Sequence, residues 1–228
     1  MRHLILADIH GYLGDLERAL SQAECQGGWD EIWFLGDAIG RGGEPNECLD
    51  RLRQLNAICV QGNWERWALM DGMPPNINRG WQQVLEWVRT QLTASNKAYI
   101  QRWPMEHFVK EHGFVLVHSE DDHYTELDSE AHHLLLRYRS LHVLFAHTHR
   151  PAIYHYNGQS CRRYSPRPEI LPWSLKQWGG RIAANPGSVA LPRSVFGPAG
   201  RRLYRHPSLM IYDDVEKELN FLEIHADQ

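Results

Sequence analysis

The stretch AICVQGNWE, residues 57–65, decides how the rest of the chain is interpreted. Its first four residues are apolar, and short, continuously apolar runs are typical of strands buried on both faces. A turn at Gly62 then leads to Asn63, whose carboxamide oxygen can bind a metal ion, and to the large indole of Trp64, which cannot. The stretch therefore predicts a buried strand that ends beside a candidate metal ligand.

Four more apolar runs end in the same way, each within three residues of a side chain that can bind a metal ion. They are HLILA (3–7) before Asp8 and His10, IWFL (32–35) before Asp37, FVLV (114–117) before His118, and HVLFA (142–146) before His147 and His149. A single polar residue at a strand end is usually an accident of loop polarity. The recurrence of this ending is what indicates a site.

Helical patterns separate these predicted strands. Apolar residues recur at helical spacing over 13–23, over 48–55 and over 81–92. An alternation of strands and helices predicts a largely parallel sheet, whose ligands bind beyond the carboxyl ends of the strands. We therefore expect the polar clusters to meet on one edge. Residues 208–213 and 219–224 predict a terminal β-hairpin.

Length and composition predict one domain spanning residues 1–228. The chain is 43% hydrophobic and 23% charged, which is typical of a globular protein with a large core. The stretch 157–180 is rich in Pro, Gly and Arg and predicts a long loop or insertion. Between Arg150 and Arg205 there are ten Lys or Arg residues and one acidic residue, Glu169. This basic segment favours an anionic ligand nearby, unless it is only a solvated face.

The cysteines and the first residues indicate a reducing compartment. Cys25, Cys48, Cys59 and Cys161 have irregular spacing and no C-x-x-C pair, which argues against a zinc ribbon or a disulfide framework. The first apolar run is too short for a signal peptide, and no run approaches the length of a membrane span. We therefore expect a cytoplasmic protein that does not enter a membrane.

The donor atoms at the five strand ends favour a pair of divalent metal ions. Asp and Asn oxygens with His nitrogens suit Mn²⁺, Fe²⁺ or Zn²⁺, and without thiolates they disfavour a structural zinc site. Seven donors exceed the needs of one ion and suit two ions about 3.5–4 Å apart. The alternative is a set of solvated turns, with Asn63 capping a short helix. The seven candidate ligands are Asp8, His10, Asp37, Asn63, His118, His147 and His149.

The ordered set of motifs resembles that of the calcineurin-like metallophosphoesterases. The motifs are DIH (8–10), GDAIGRG (36–42), GNWE (62–65), His118, HTH (147–149) and NPGS (185–188), so the resemblance covers positions 1 to about 190. Their spacing is most similar to that of the small bacterial and archaeal phosphodiesterase branch. The resemblance implies an α/β fold, an αββα four-layer sandwich of two mixed β-sheets flanked by helices.

The resemblance also implies which residue holds which ion. Asp8, His10 and His149 would bind one ion, Asn63, His118 and His147 would bind the other, and Asp37 would bridge the two. The cofactors would be two divalent metal ions, with manganese preferred and iron, zinc or nickel as alternatives.

The implied function is metal-dependent hydrolysis of phosphodiester bonds, with phosphomonoesters as further substrates. A hydroxide bridging the two ions would attack the phosphorus. The candidate catalytic residues are Asp37, Asn63 and Arg41, whose guanidinium could clamp a phosphate oxygen, although Arg41 could equally be a surface residue in a glycine loop.

Two other functions remain open. One is a nucleotide or dinucleoside polyphosphate phosphohydrolase, and the other is a catalytically inactive scaffold with this fold. The partner is expected to be a small phosphorylated molecule, with a nucleotide or a nucleic acid as alternatives, because arginines alternate with aromatic residues in the basic segment 150–205. The acidic run EDD (120–122) is interpreted as a solvated loop.

The chain departs from the family pattern at two positions. Gly40 and Trp64 stand where many relatives have an aspartate and a histidine, and that histidine donates a proton to the leaving group. An indole cannot act as that acid. Trp64 therefore either lines a pocket and stacks on an aromatic group, or packs with Trp67 and Met70 on a short helix. Relatives in the small phosphodiesterase branch also lack the histidine.

Overall fold

The computed structural model consists of two six-stranded mixed sheets with helices on their outer faces. It describes residues 1–119, 124–139, 141–166, 172–190, 195–196, 202–203 and 206–225. The acidic run 120–122 and several arginines of the basic segment lie outside the described residues.

Strands and helices alternate regularly from β1 to α3 and less regularly after that in the described residues. In chain order they are β1 (Arg2–Leu6), β2 (Glu31–Phe34), β3 (Ile58–Cys59), β4 (Glu106–Val109), β5 (Phe114–Val117), β6 (His142–Leu144), β7 (Ala152–Tyr156), β8 (Cys161–Tyr164), β9 (Trp173–Ser174), β10 (Arg181–Asn185), β11 (Val195–Phe196), β12 (Arg202–Leu203), β13 (Ser208–Asp213) and β14 (Glu218–Glu223). The helices are α1 (Leu13–Cys25), α2 (Pro45–Gln54), α3 (Asn63–Leu69), α4 (Arg79–Gln91), α5 (Ala94–Ile100), α6 (Asp128–Arg137) and α7 (Leu175–Trp178).

Both large sheets combine parallel and antiparallel pairs. The first sheet has the order β3-β2-β1-β13-β14-β9, and the second has the order β4-β5-β6-β10-β7-β8. Strands β1 to β3 are parallel to one another, as are β5, β6 and β10. β11 and β12 form a separate antiparallel pair.

The side chains of each central strand alternate between two apolar layers. In β1, Leu4 and Leu6 pack against the helices, whereas Ile5 faces the second sheet. In β5, Phe114 faces the first sheet and Val115 packs towards α6. Because both faces of these strands are buried, their sequences are continuously apolar, as the runs predicted. The result is four layers, helix, sheet, sheet, helix.

The fold class is confirmed, including the two mixed sheets that the family resemblance implied, whereas the largely parallel sheet predicted from the alternation alone is wrong. The sheets are mixed, because β13 pairs antiparallel with β1 and β7 pairs antiparallel with β10. Strand–helix alternation alone could not reveal these long-range pairs. The terminal hairpin is confirmed as β13 and β14.

The stretch 157–180 is not a simple loop. Its described residues contain β8, β9 and α7. β8 extends the second sheet by pairing with β7, and its Arg162 and Arg163 are exposed. An edge strand with solvent-facing arginines lacks the apolar pattern that predicts a strand, and this explains the error. Among the described residues, no helix combines the length and the apolar character needed to cross a membrane.

Candidate metal centre

The structure brings all seven candidate ligands together at the carboxyl ends of the parallel strands. Those from the first sheet are Asp8 and His10 after β1, Asp37 after β2, and Asn63 at the start of α3, after β3. Those from the second sheet are His118 after β5, and His147 and His149 after β6. Parallel strands place their carboxyl ends on one edge, and here the edges of both sheets adjoin.

Asp8, His10 and His149 form the first group of donors. The Nε2 atoms of His10 and His149 are 3.0 Å apart, and the Oδ1 atom of Asp8 lies 3.3 Å from His149 Nε2. Asp8 Oδ1 lies 3.8 Å from His10 Nε2. Both imidazoles therefore direct the same type of nitrogen towards one small volume beside a buried carboxylate.

Asn63, His118 and His147 form the second group. Asn63 Oδ1 lies 3.1 Å from His118 Nε2 and 2.9 Å from His147 Nδ1. The two ring nitrogens are 3.3 Å apart. An amide oxygen and two imidazole nitrogens at these separations have the composition and the spacing of one side of a coordination shell.

Asp37 lies between the two groups. Its Oδ2 atom is 3.8 Å from His10 Nε2 in the first group and 3.5 Å from His118 Nε2 in the second. Its other oxygen, Oδ1, accepts a hydrogen bond of 2.9 Å from the backbone N–H of Trp64. That bond fixes the rotation of the carboxylate and leaves Oδ2 directed at both groups.

The backbone at these residues is unusual. Five of the seven have positive φ angles, namely Asp8 (56°), His10 (53°), Asp37 (61°), His147 (69°) and His149 (56°). Residues with a Cβ atom rarely adopt this left-handed conformation, which costs on the order of 1–3 kcal/mol each and is concentrated at functional sites. The chain thus turns sharply at the ligands that follow β1, β2 and β6.

Backbone carbonyls orient two of the histidine rings. His118 Nδ1 lies 2.8 Å from the carbonyl oxygen of Leu35, and His10 Nδ1 lies 3.4 Å from that of Ile39. With Nδ1–H donating to a carbonyl, the lone pair of Nε2 is directed into the centre. Outer contacts of this type are usual for histidines that bind metal ions.

Glu65 holds the loop that carries Asp37. It is fully buried and accepts hydrogen bonds from the backbone N–H groups of Asp37, Ala38 and Gly62, each 2.8 Å long. Burial raises the pKa of Glu65 to about 7, the nearby Asp37 carboxylate adds to the rise, and the N–H donors oppose it. The sequence patterns alone indicate no role for Glu65. The sequence signal for its role in holding this loop is its position as the third residue of a helix that begins after Gly62.

Asn185 and Ser188 of the NPGS motif hold the other side of the centre. The Asn185 amide donates to the carbonyl of Ala146 at 2.9 Å and lies 3.1 Å from Thr148 Oγ1. The Ser188 hydroxyl donates to the Asp8 carbonyl at 3.0 Å. The resemblance placed this motif beside the site, and the contacts show that it joins the HTH loop to the residue that follows β1.

Trp64 combines both interpretations given to it. It is only 3% exposed, with its ring centre 5.6 Å from that of Trp67 and 5.7 Å, edge to face, from that of Trp81. Met70, which was predicted to pack against Trp64, is exposed, and Trp81 packs against Trp64 instead. Trp64 also lines a pocket of about 300 Å³ that opens onto the candidate ligands. Tyr124, which stacks on His147 at 4.4 Å, lines the same pocket.

Arg41 lies beside this pocket and not in its lining. Its guanidinium carbon is 5.7 Å from the centre of the Trp81 ring, and it lines a separate, shallower cavity with Gly42 and Gly43. The role predicted for Arg41 stays a prediction.

The seven side chains fit a pair of divalent ions. At metal–donor distances of about 2.0–2.2 Å, donors on one ion are roughly 3–3.5 Å apart. The donor pairs 2.9–3.3 Å apart already match this spacing, and those up to 3.8 Å apart would close by about half an ångström. Two buried carboxylates, Asp8 and Asp37, also require positive charge, because a buried anion is costly without it.

Comparisons with known proteins agree with this geometry. A family model described as calcineurin-like phosphoesterase matches residues 1–182. A crystal structure of a metallophosphoesterase from Sphaerobacter thermophilus superposes with a TM-score of 0.79 at 25% identity, and the match covers 100% of this chain and 89% of that chain.

Two curated relatives differ in how much of each chain they match. An uncharacterized protein of Methanocaldococcus jannaschii is 23% identical over 228 residues, which is 98% of this chain and 87% of the relative. The symmetrical bis(5'-nucleosyl)-tetraphosphatase of Actinobacillus pleuropneumoniae is 27% identical over 130 residues, which is 52% of this chain. That second match spans only 45% of the length of the tetraphosphatase.

Proposed function

The chain belongs to the calcineurin-like phosphoesterase family, and we propose that it hydrolyses phosphodiester bonds with two divalent metal ions, manganese being preferred. The observation that carries the proposal is the position of Asp37. One carboxylate oxygen lies within 3.8 Å of a nitrogen from each donor group, which is the placement a bridging ligand needs. Asp8, His10 and His149 would hold one ion, and Asn63, His118 and His147 the other.

The chemistry expected of the bound ions is electrostatic. Two dications neutralise the phosphoryl oxygens and lower the pKa of a water molecule, so that hydroxide is available near neutral pH. Phosphoryl transfer then depends mainly on positioning and on charge stabilisation.

The residues of the chain supply that positioning. The backbone N–H of Trp64 and the carboxylate of Glu65 hold Asp37 and its loop in place from two sides. Asn63, a neutral ligand, faces the pocket, where its amide N–H could donate to a phosphate oxygen. The burial of Asp8 and Asp37 excludes bulk water and strengthens every charge interaction there.

The same residues predict which leaving groups are preferred. The indole of Trp64 stands where a proton donor would be needed, and it does not release its proton at neutral pH. General acid catalysis is typically worth about 10²–10⁴-fold. The enzyme should therefore favour esters whose leaving groups are stable as anions, such as nitrophenolates and phosphates.

A second candidate function, hydrolysis of nucleotides or dinucleoside polyphosphates, has an observation of its own. The pocket beside the ligands is walled by Trp64, Trp67, Trp81 and Tyr124, and flat aromatic groups stack well on such walls. The tetraphosphatase relative is consistent with this, although it matches only part of the chain. The leaving group of such a substrate would be a phosphate, which needs little protonation.

The test is a substrate panel with the purified protein and Mn²⁺. We expect bis-p-nitrophenyl phosphate to be hydrolysed faster than p-nitrophenyl phosphate, and diadenosine tetraphosphate to exceed both if the second candidate is correct. Asp37→Asn should lower every rate by at least about 100-fold, since losing even an outer partner of a metal ligand costs 10–100-fold.

Two outcomes would contradict the proposal. An Asp37→Asn protein with wild-type rates would show that this residue does not bridge. A wild-type protein with no transition metal and no turnover on added Mn²⁺, Fe²⁺, Zn²⁺ or Ni²⁺ would favour an inactive scaffold.

A further inference from the structure

A second cluster of histidine and aspartate lies at the opposite end of the sheets. His3 lies in β1, on the same side of the strand as Ile5, and so faces the second sheet. His112 lies in the turn between β4 and β5 of the second sheet, and Asp214 follows β13 of the first sheet. The cluster therefore joins the two sheets at the end remote from the candidate ligands.

The donor atoms of this cluster are close together. Asp214 Oδ2 lies 3.5 Å from His112 Nδ1 and 3.9 Å from His3 Nε2. One donor atom from each of the three residues lies within 4.8 Å of the other two. Donors on a tetrahedral zinc ion are about 3.4 Å apart, given zinc–nitrogen and zinc–oxygen distances of about 2.0–2.2 Å. The two pairs that include Asp214 are within about half an ångström of that spacing, and no pair of donors would have to close by more than about 1.4 Å.

His3 is the unusual member of the cluster. It is 0% exposed, and neither ring nitrogen makes a hydrogen bond of good geometry, although Nδ1 lies 3.3 Å from a carboxylate oxygen of Glu31. Buried polar atoms in folded proteins are rarely left in this state, and a missing ion or water is one of the standard reasons. The stacking of the His3 ring on Trp33, with centres 4.2 Å apart, fixes its plane but satisfies neither nitrogen.

A carboxylate contacts the ring nitrogen of His3 that does not face Asp214, as is common for histidines that bind metal ions. His3 Nδ1 is 3.3 Å from Glu31 Oε2, and the same oxygen accepts a 2.6 Å hydrogen bond from Trp33 Nε1. A carboxylate on one ring nitrogen favours the tautomer whose other nitrogen is free to bind a metal ion. In His3 that other nitrogen is Nε2, the one that faces Asp214.

The charge states also suit a cation. Burial lowers the pKa of His3, as does the neighbouring His112, whereas the carboxylates of Glu31 and Asp214 raise it, and the net lowering favours the neutral ring. A hydrogen bond from the Met1 amino group lowers the pKa of Asp214, which is therefore ionised. That bond involves Asp214 Oδ1, and Oδ2 is the oxygen that faces the two histidines.

We propose that His3, His112 and Asp214 bind one zinc ion, separate from the hydrolytic centre, that ties the two sheets together. Two imidazoles and one carboxylate are a common zinc donor set, and a water molecule would complete the tetrahedron. The site is independent of the proposed hydrolysis, because it shares no residue with the seven candidate ligands.

The test is a zinc count per chain. Full-length wild type, His112→Ala and the matched control His133→Ala, which removes an exposed histidine of α6, would be saturated with zinc, passed through gel filtration and analysed by elemental mass spectrometry. We expect His112→Ala to hold one ion fewer than the other two proteins. This difference does not depend on how many ions the hydrolytic centre holds, so the failure of the proposed function would not alter it.

Two further measurements locate the ion. Zinc should raise the Tm of the wild type and of His133→Ala more than that of His112→Ala. Anomalous scattering from a zinc-soaked crystal should show a peak about 2.0–2.2 Å from the three donor atoms. If His112→Ala does not fold, Asp214→Asn, which keeps the shape of the side chain, replaces it in the count.

Equal zinc content in wild type and in the folded variant would overturn the proposal. So would an anomalous map without a peak at the cluster. A fall in Tm on substitution that is the same with and without zinc would show that the cluster acts as an ordinary polar contact, and it would count against the site.

Discussion

Histidine and aspartate side chains converge at both ends of the layer between the two sheets, but the backbone conformation differs between the two ends. At the carboxyl ends of the parallel strands, five of the seven candidate ligands have left-handed φ angles. At the opposite end, His3 lies in the regular strand β1, and neither His112 nor Asp214 has a positive φ. Imidazoles and carboxylates thus converge at both ends, but only one end distorts the chain to achieve it.

The difference shows what each end requires. Seven donors from five strand ends can reach one small volume only if the chain turns sharply at the ligands, and that strain must be held by neighbours such as Glu65 and Asn185. Three donors from a strand, a turn and a strand end meet without any such distortion. Substitutions at the strained end should therefore affect activity, and those at the other end only stability.

The largest effect is expected from Gly62→Ala. The φ of Gly62 is an ordinary −88°, yet a Cβ atom there would lie 2.1 Å from Asp37 Oδ1 and 2.5 Å from Asp37 N. The Asp37 carboxylate and its loop would have to move, so we expect loss of at least one metal ion and a fall in activity of about 100-fold or more. Metal content and turnover of bis-p-nitrophenyl phosphate would measure both.

The matched control is Gly113→Ala, at the opposite end. Gly113 has a φ of 77°, and nothing lies within 4 Å of an added Cβ. The strain should cost about 1–2 kcal/mol of unfolding free energy and leave activity unchanged. If Gly62→Ala were fully active, or Gly113→Ala inactive, the distinction between the two ends would fail.

A smaller effect is expected from Glu65→Gln. Glu65 accepts backbone N–H bonds on both carboxylate oxygens, and an amide nitrogen cannot accept them. Two buried donors would lose their partner, at about 1–3 kcal/mol each. We expect urea denaturation to show a loss of about 2–6 kcal/mol and the turnover number to fall roughly tenfold.

Glu111→Gln provides the control for that substitution. Glu111 is exposed at the opposite end, beside His112, and its change should alter stability by no more than about 0.5 kcal/mol. An equal loss in the two variants would mean that Glu65 does not hold the loop.

The smallest effect concerns pH and His142, at the start of β6. Burial, followed by the charge of Arg181, lowers the pKa of His142 from 6.5 to about 4, and its Nδ1 accepts a hydrogen bond from the Ile182 N–H. Because the folded pKa is below the unfolded one, this stabilisation is complete above pH 6.5 and is lost as the pH falls towards 4.

We therefore expect the wild type to lose about 2 kcal/mol more than His142→Gln between pH 7 and pH 4, from chemical denaturation at each pH. Glutamine keeps an acceptor for the Ile182 N–H but has no proton to gain. Parallel pH curves for the two proteins would show that His142 does not titrate in this window.

The sequence predicted which side chains converge better than it predicted how the strands around them pair. Each candidate ligand follows an apolar run within three residues, and because both faces of those strands are buried, the pattern was strong at Asp8, Asp37 and His118. The antiparallel partners β13 and β7 depend on contacts between distant parts of the chain, which a local pattern does not contain. β8 was missed because its arginines face solvent.

The supporting residues were harder to predict than the ligands. Glu65 looked like an ordinary acidic residue in the first turn of a helix, and only its burial and its backbone donors reveal that it holds the Asp37 loop. Trp81 comes from α4, far along the chain from Trp64, so the aromatic wall of the pocket had no sequence signature. His3 appeared to be one of several histidines outside the motifs.

The seven donors are divided between the two sheets, four from the first and three from the second. Neither sheet alone could assemble a complete coordination shell, so an ion bound here acts as a cross-link between two halves of the core. Any sliding of one sheet over the other would separate His118 from Asn63. Conversely, a bound ion would oppose that sliding. Apolar residues between the sheets, such as Trp33 and Phe114, would resist the same sliding.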